Sequence, residues 1–216
     1  MQTRPFPFQL YLVTSDDFIS AASFPEKLKQ VLDGGVTAVQ LRAKNTPVRT
    51  FIDLAFKARK VLQDYPDVPL IINDRVDIAL AVDAAGVHVG QCDMPLELVR
   101  SIFAQKRACI GLSLKSPRDL QADDAAIADY YGVSPVFLTP TKPELRQQWG
   151  LEGLQALRKQ TGRKLVAIGG ISAGNARQVL ASGADGLAVV SAICAADDPL
   201  KATKTIREIV DEHFCS

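Results

Sequence analysis

The chain has 216 residues, 47% of them hydrophobic, enough for the core of one α/β domain and long for two. Its 25 basic and 24 acidic residues leave a formal charge of +1, so any anion site is local, and no basic stripe suited to nucleic acid stands out. Cys92, Cys109, Cys194 and Cys215 show no CxxC spacing, no apolar run approaches the roughly 18 residues of a membrane helix, and residues 1–8 do not read as a signal peptide; a reduced, cytoplasmic setting away from membranes is expected.

In chain order, short apolar runs alternate with segments of helical period. A strand is expected at Leu10–Thr14 and a helix at Phe24–Asp33, then a strand at Ala38–Arg42 and a helix at Val48–Gln63. The next units are Pro69–Ile72 with Asp74–Val82, and Gly86–Val89 with Pro95–Phe103. They are followed by Cys109–Leu112 with Pro117–Ala126, and Tyr130–Val133 with Leu151–Thr161. Lys164–Ile168 with Ala173–Ser182 and Gly186–Val190 with Leu200–Phe214 complete the pattern. Prolines 47, 95 and 117 suit first helical turns, and Gly34, Gly35 and Gly183 suit helix C-termini.

Eight alternating units at about 27 residues each predict an α/β fold, a single-domain (β/α)8 TIM barrel spanning residues 1–216. The competing doubly wound sheet would carry a glycine-rich turn after its first strand, where this chain has Thr14-Ser15-Asp16-Asp17.

Chemistry in such a barrel belongs at the C-terminal strand ends. Side chains alternate faces, so Gln40, Arg42 and Lys44 project together while Val39, Leu41 and Ala43 point the other way. Two cations aimed from one strand end require an anionic partner, and a phosphorylated ligand fits a bidentate Arg42 and a point charge on Lys44. Strand 3 ends in Asn73-Asp74 and strand 4 in Gln91-Cys92-Asp93. Each acid alone could cap a helix; on neighbouring strand ends, about 5 Å apart, the two would repel unless a cation such as Mg²⁺ lay between them. Gly169-Gly170 and Val190-Ser191-Ala192 occupy the corner where barrels commonly hold phosphate. The segment Thr139–Pro143 opens a long loop, continuing through Gly150, that suits a lid, with Arg146, Gln147 and Gln148 as solvated positions. His88 reads as a satisfied interior histidine and His213 as inert, and no Ser–His–Asp or Cys–His constellation points to covalent catalysis.

Several segments taken together resemble the thiamine-phosphate synthase family, from Tyr11 to Pro199. They are Gly34-Gly35-Val36-Thr37 with Gln40–Lys44, Ile72–Asp77, Gly86–Asp93, Thr139–Lys142, Ala167–Ile171 and Gly183–Ile193. The resemblance implies a barrel transferase that joins a hydroxymethylpyrimidine diphosphate to a thiazole phosphate, releasing diphosphate, with Mg²⁺ on Asp74 and Asp93. It implies that Gln40, Arg42, Lys44, Asn73, Ser113 and Lys142, with Leu41 and Ala43 in the same strand end, hold the pyrimidine diphosphate. Thr139, Pro140, Thr141, Gly170, Val190 and Ser191 would hold the thiazole phosphate, and Arg42, Lys44, Ser113 and Lys142 would carry the catalysis. The chain departs from the family pattern at Ala43 and Cys92, where glutamates are common, at Leu114-Lys115, and at Ser134 in place of glycine. Two rivals stand beside this reading: an isomerase acting on thiazole phosphate alone, and a non-catalytic, phosphate-binding regulatory barrel. Oligomeric state is left open, a homo-oligomer included.

Overall fold

The computed structural model describes residues 7–20, 22–122, 124–138 and 147–215. Eight strands form a closed, all-parallel barrel in sequence order: β1 (Leu10–Val13), β2 (Ala38–Leu41), β3 (Leu70–Asn73), β4 (Gly86–Val89), β5 (Cys109–Leu114), β6 (Tyr130–Val133), β7 (Lys164–Ile168) and β8 (Gly186–Val189). Closure is made by β1 against β8, with Tyr11 opposite Ala188. The covering helices are α1 (Asp16–Ser20), α2 (Phe24–Asp33), α3 (Val48–Leu62), α4 (Val76–Ala81) and α5 (Leu96–Ile102). They continue with α6 (Gly150–Gln160), α7 (Ala176–Ala181), α8 (Ser191–Cys194) and α9 (Pro199–Phe214).

Strand alternation divides the apolar residues into two layers rather than one core. Leu10, Leu12, Val39, Leu41, Ile72, Val87, Val89 and Leu187 face outward and meet the helices. Tyr11, Val13, Ala38, Ile71, Tyr130, Val166 and Ala188 face inward and fill the barrel, joined by Phe8 from just before β1. The Phe8 ring stacks on Tyr130 at 4.5 Å and meets Tyr11 edge-on at 5.0 Å, which seals the N-terminal end. Each fully buried leucine or valine in these layers contributes about 1.5–3 kcal/mol relative to exposure.

Four local departures from the sequence expectation have identifiable causes. The stretch expected as a helix over Pro117–Ala126 is two short 3-10 turns, Pro117–Gln121 and Ala125–Ile127. No residue of the first is buried, so no apolar face drives an α-helix there, and Asp119 binds the Lys115 and Ser116 amides instead. The turn after β1 contains α1, because Phe18 and Ile19 find burial and Phe18 packs edge-on to Phe24 at 6.0 Å. Helix α7 begins at Ala176 rather than residue 173, since Asn175 accepts from the Ser172 amide and donates to the Gly170 carbonyl. Helix α4 begins at Val76, two residues after Asp74, whose φ of 59° takes it out of the helical region.

Candidate active site

At the C-terminal end the inward-facing layer changes from apolar to polar. Gln40, Arg42, Asn73, His88 and Ser113 share a cavity with Thr14, Tyr11 and Tyr130; Val166, Ile168 and Val190 form its apolar wall. The strand-2 alternation expected from sequence holds for Gln40 and Arg42, which line the cavity, while Leu41 and Ala43 bury their side chains in the outer layer; Lys44, the third residue expected on that face, is not among the lining residues. Leu41 and Ala43 therefore present only backbone toward the site. Thr14 fixes the backbone of Arg42: its hydroxyl accepts from the Arg42 amide at 2.9 Å and donates to the Arg42 carbonyl at 3.2 Å. Among the described residues no carboxylate pairs with the Arg42 guanidinium. A half-buried cation at a cavity wall without a counter-charge is a ready anion site.

Asp74 follows β3 directly, and its positive φ turns the chain while its amide donates to the His88 carbonyl at 2.8 Å. Burial, then the charge and carboxyl of neighbouring Asp93, raise its hold on a proton; Lys44 and Asn73 act in the opposite direction. The Lys44 ammonium stands 4.0 Å from Asp74, and half its side chain is exposed, so this pair adds little stability. Asp93 does not cap the following helix. Its carboxylate accepts from the Gly90 amide at 2.7 Å, and the first amide of α5, Leu96, is bound by Asp124 instead. Nor does Asp74 sit in the first turn of α4, so the capping alternative fails for both acids. Two neighbouring carboxylates, one of which raises the other's hold on a proton, are a donor set that suits a hard dication. Among the described residues no cluster of three or more His, Cys, Asp or Glu side chains converges.

At the centre of the site the sequence singled out Gln40 and Ser113 but not the tyrosines between them. A hydrogen-bonded chain crosses the barrel from β2 to β5. Gln40 Nε2 donates to the Tyr11 hydroxyl at 3.0 Å; Tyr11 and Tyr130 hydroxyls are 3.1 Å apart; Tyr130 lies 3.0 Å from His88 Nδ1, and His88 Nε2 lies 2.9 Å from Ser113 Oγ. Burial raises both phenols well above their ordinary pKa, so they remain neutral hydroxyls. His88 is thus the satisfied interior histidine expected, but it is satisfied by Ser113 and lines the cavity. The available signal was parity: Tyr11, His88 and Tyr130 occupy inward positions that Val13, Ser113 and Gly132 also share.

On the opposite side, Val190 lines the cavity and Ser191 begins α8. Gly169 and Gly170, with φ of 105° and 64°, make a close approach, but to the chain after β6: a Cβ on Gly169 would lie 2.7 Å from Pro135 Cβ, and one on Gly170 2.8 Å from Phe137 Cβ. Thr139, Pro140, Thr141 and Lys142 lie outside the described residues. The flanks of their loop are pinned together: the Leu138 amide donates to Gln148 Oε1 at 2.9 Å, and Trp149 Nε1 donates to the Leu114 carbonyl at 3.1 Å. Gln148 is thus exposed, as expected, and also a strut at the base of the loop. Among the described residues no helix is long and apolar enough to cross a membrane.

Comparison with known proteins gives this geometry a family. The family model described as thiamine monophosphate synthase matches residues 10–193. Thiamine-phosphate synthase of Albidiferax ferrireducens is 45% identical over 203 residues, covering 94% of this chain and 92% of that protein. Its counterpart in Vibrio campbellii is 46% identical over 197 residues, covering 91% of this chain and 95% of that protein. The solved structure of thiamine phosphate pyrophosphorylase from Pyrococcus furiosus superposes with a TM-score of 0.85 at 39% identity, covering 96% of this chain and 97% of that one. The chain belongs to the thiamine monophosphate synthase family.

Proposed function

We propose that this chain is a transferase that condenses hydroxymethylpyrimidine diphosphate with thiazole phosphate, giving thiamine phosphate and free diphosphate. Its relatives carry that enzyme's name across nearly their whole length. The single observation that carries the reading within the structure is a cation and an acid at neighbouring strand ends. Arg42, just after β2, has no carboxylate partner among the described residues, and Asp74, directly after the adjacent β3, is made harder to ionise by burial and by Asp93.

In this reading Arg42, Lys44 and Asn73 take the diphosphate, and Ser113 donates to an oxygen on it from β5. Lys142 would add a further cation, and Leu41 and Ala43 would offer backbone only. Gln40 faces the pyrimidine across the cavity. Thr139, Pro140, Thr141, Gly170, Val190 and Ser191 take the thiazole phosphate. Asp74 and Asp93 would hold Mg²⁺, which when bound supplies positive charge to the departing diphosphate. The bond from the pyrimidine methylene to the diphosphate oxygen breaks with its electron pair on the oxygen. The thiazole nitrogen then closes the new C–N bond with its own lone pair. Nothing in this sequence requires a protein nucleophile or a strong base; it requires charge stabilisation on the leaving group and two held partners. The apolar wall of Val166, Ile168 and Val190 keeps water from the methylene cation. Residues 1–216 act as one barrel domain in this proposal, in a reducing cytoplasm suited to four free thiols.

The test is to supply both substrates and follow diphosphate and thiamine phosphate together. Equal, Mg²⁺-dependent release of both supports the reading. Conversion of thiazole phosphate without the pyrimidine would instead show the isomerase, and binding without turnover the regulatory barrel.

A further inference from the structure

The chain of hydrogen bonds across the barrel has a direction, and that direction ends at Ser113. A phenol can donate one hydrogen. Tyr11 receives the Gln40 amide hydrogen; the arrangement that leaves neither buried phenol hydrogen unused sends the Tyr11 hydrogen to Tyr130 and the Tyr130 hydrogen to His88 Nδ1. A neutral imidazole that accepts at Nδ1 carries its proton at Nε2, and Nε2 faces Ser113 Oγ at 2.9 Å. We propose that His88 is a positioning residue: Gln40, Tyr11 and Tyr130 hold it as the Nε2–H tautomer, and it in turn commits the Ser113 hydroxyl hydrogen to the cavity, as a donor toward the diphosphate leaving group. The last step rests on the reading of Ser113 as a diphosphate contact; the tautomer does not.

Three observations support the arrangement. Reversing the chain would make Ser113 donate to the ring and offer only lone pairs to the cavity, the wrong polarity beside Arg42 and an anion. The Ser113 carbonyl is held separately, by Gln91 Nε2 at 2.9 Å, so the strand end is fixed while the hydroxyl is oriented by the ring. The neighbouring strands also leave room for these rings through two glycines. Gly111 lies opposite both His88 and Tyr130 in register, and a Cβ there would overlap both side chains. A Cβ on Gly132 would come within 2.8 Å of His88 Cε1. Smooth β-strands do not need glycine; a ring laid across the neighbouring strand does.

The chain contains two histidines, His88 and His213, so ¹⁵N-histidine labelling gives a two-residue spectrum, and His213→Gln assigns it. Long-range ¹H–¹⁵N correlation at mildly alkaline pH should show His88 as the Nε2–H tautomer in the substrate-free protein. Gln40→Glu, which can only accept from Tyr11, should reverse the chain and move the proton to Nδ1. A wild-type Nδ1–H tautomer, or a Gln40→Glu spectrum unchanged from wild type, overturns the proposal whether or not the enzyme is active. In kinetics, His88→Gln, whose amide nitrogen can stand in for Nε2, should keep kcat within a few-fold. His88→Asn, which can reach only the Tyr130 side, should lower kcat about tenfold or more with KM little changed. Equal losses in the two variants at unchanged thermal stability would show a filler role and contradict the proposal.

Discussion

The Thr14 hydroxyl grips the Arg42 peptide on both sides, accepting its N–H at 2.9 Å and donating to its C=O at 3.2 Å. This is the point where β1 hands the chain to the site. Arg42 lies one residue beyond β2, so the strand ladder alone does not fix its backbone. Thr14 is fully buried, and its own amide continues the ladder to Gln40 at 3.0 Å. The guanidinium is therefore aimed by a backbone that has no freedom to drift. Thr14→Val keeps the shape and removes both bonds. It should cost about 1–3 kcal/mol in a denaturant titration, because the Arg42 amide and carbonyl lose a partner in a half-buried place. It should also raise KM for the pyrimidine diphosphate more than it lowers kcat.

Arg42→Lys tests the fork itself. Lysine keeps the charge and loses the planar pair of donors, so affinity for the diphosphate substrate should fall roughly tenfold while thermal stability stays the same. Steady-state KM and a competition experiment with inorganic diphosphate read this directly. An unchanged KM would place the diphosphate elsewhere.

Asp74 ties activity to pH-dependent stability. Burial and the Asp93 charge raise its pKa in the folded protein above its unfolded value. The folded state then binds the proton more tightly. The stabilising contribution is fully present below the unfolded pKa and is lost as pH rises through the raised, folded value. Without Mg²⁺, Asp74→Asn should melt higher than wild type at neutral pH, and the gap should close as the solution is acidified. Asparagine also tolerates the left-handed backbone at this position. With Mg²⁺, the wild type should gain melting temperature and the variant should not.

Gly111→Ala should push a methyl group into the space that His88 and Tyr130 occupy. Overpacking of this kind costs about 1–3 kcal/mol. Loss of turnover should exceed that from a control such as Gly162→Ala, where a Cβ meets nothing within 4 Å. Equal effects at the two positions would mean that the rings have room to spare.

The barrel was readable because its strands are short apolar runs on a regular beat, and all eight appear within a residue or two of their expected places. Helices with a buried stripe, such as α2 with Phe24, Leu28, Val31 and Leu32, were equally plain. The fifth crossover was not, because Pro117 and Ser116 mimic a helix start that no apolar face continues. In the site, Arg42 and the acid pair stood out as charges at strand ends. Tyr11, Tyr130 and Thr14 did not, since a tyrosine or threonine in a strand ordinarily packs. What makes them parts of a site is which partner lies across the barrel, and closure of β1 on β8 decides that, beyond the reach of local spacing. The strut role of the exposed Gln148 was hidden for a similar reason: its partner, Leu138, is ten residues away across a loop.

The most direct measurement compares Asp93→Ala with wild type for diphosphate release, with and without Mg²⁺, and melts both proteins alongside. Among the described residues Asp93 caps no helix, and besides its contact with Asp74 its carboxylate accepts from the Gly90 amide in an exposed turn, so its removal should leave melting temperature nearly unchanged. Turnover should drop by about a hundredfold or more, and the wild-type rate should vanish on chelation and return with added Mg²⁺. Parallel loss of stability and rate, or wild-type release indifferent to chelator, would contradict a metal-holding acid pair at the ends of β3 and β4.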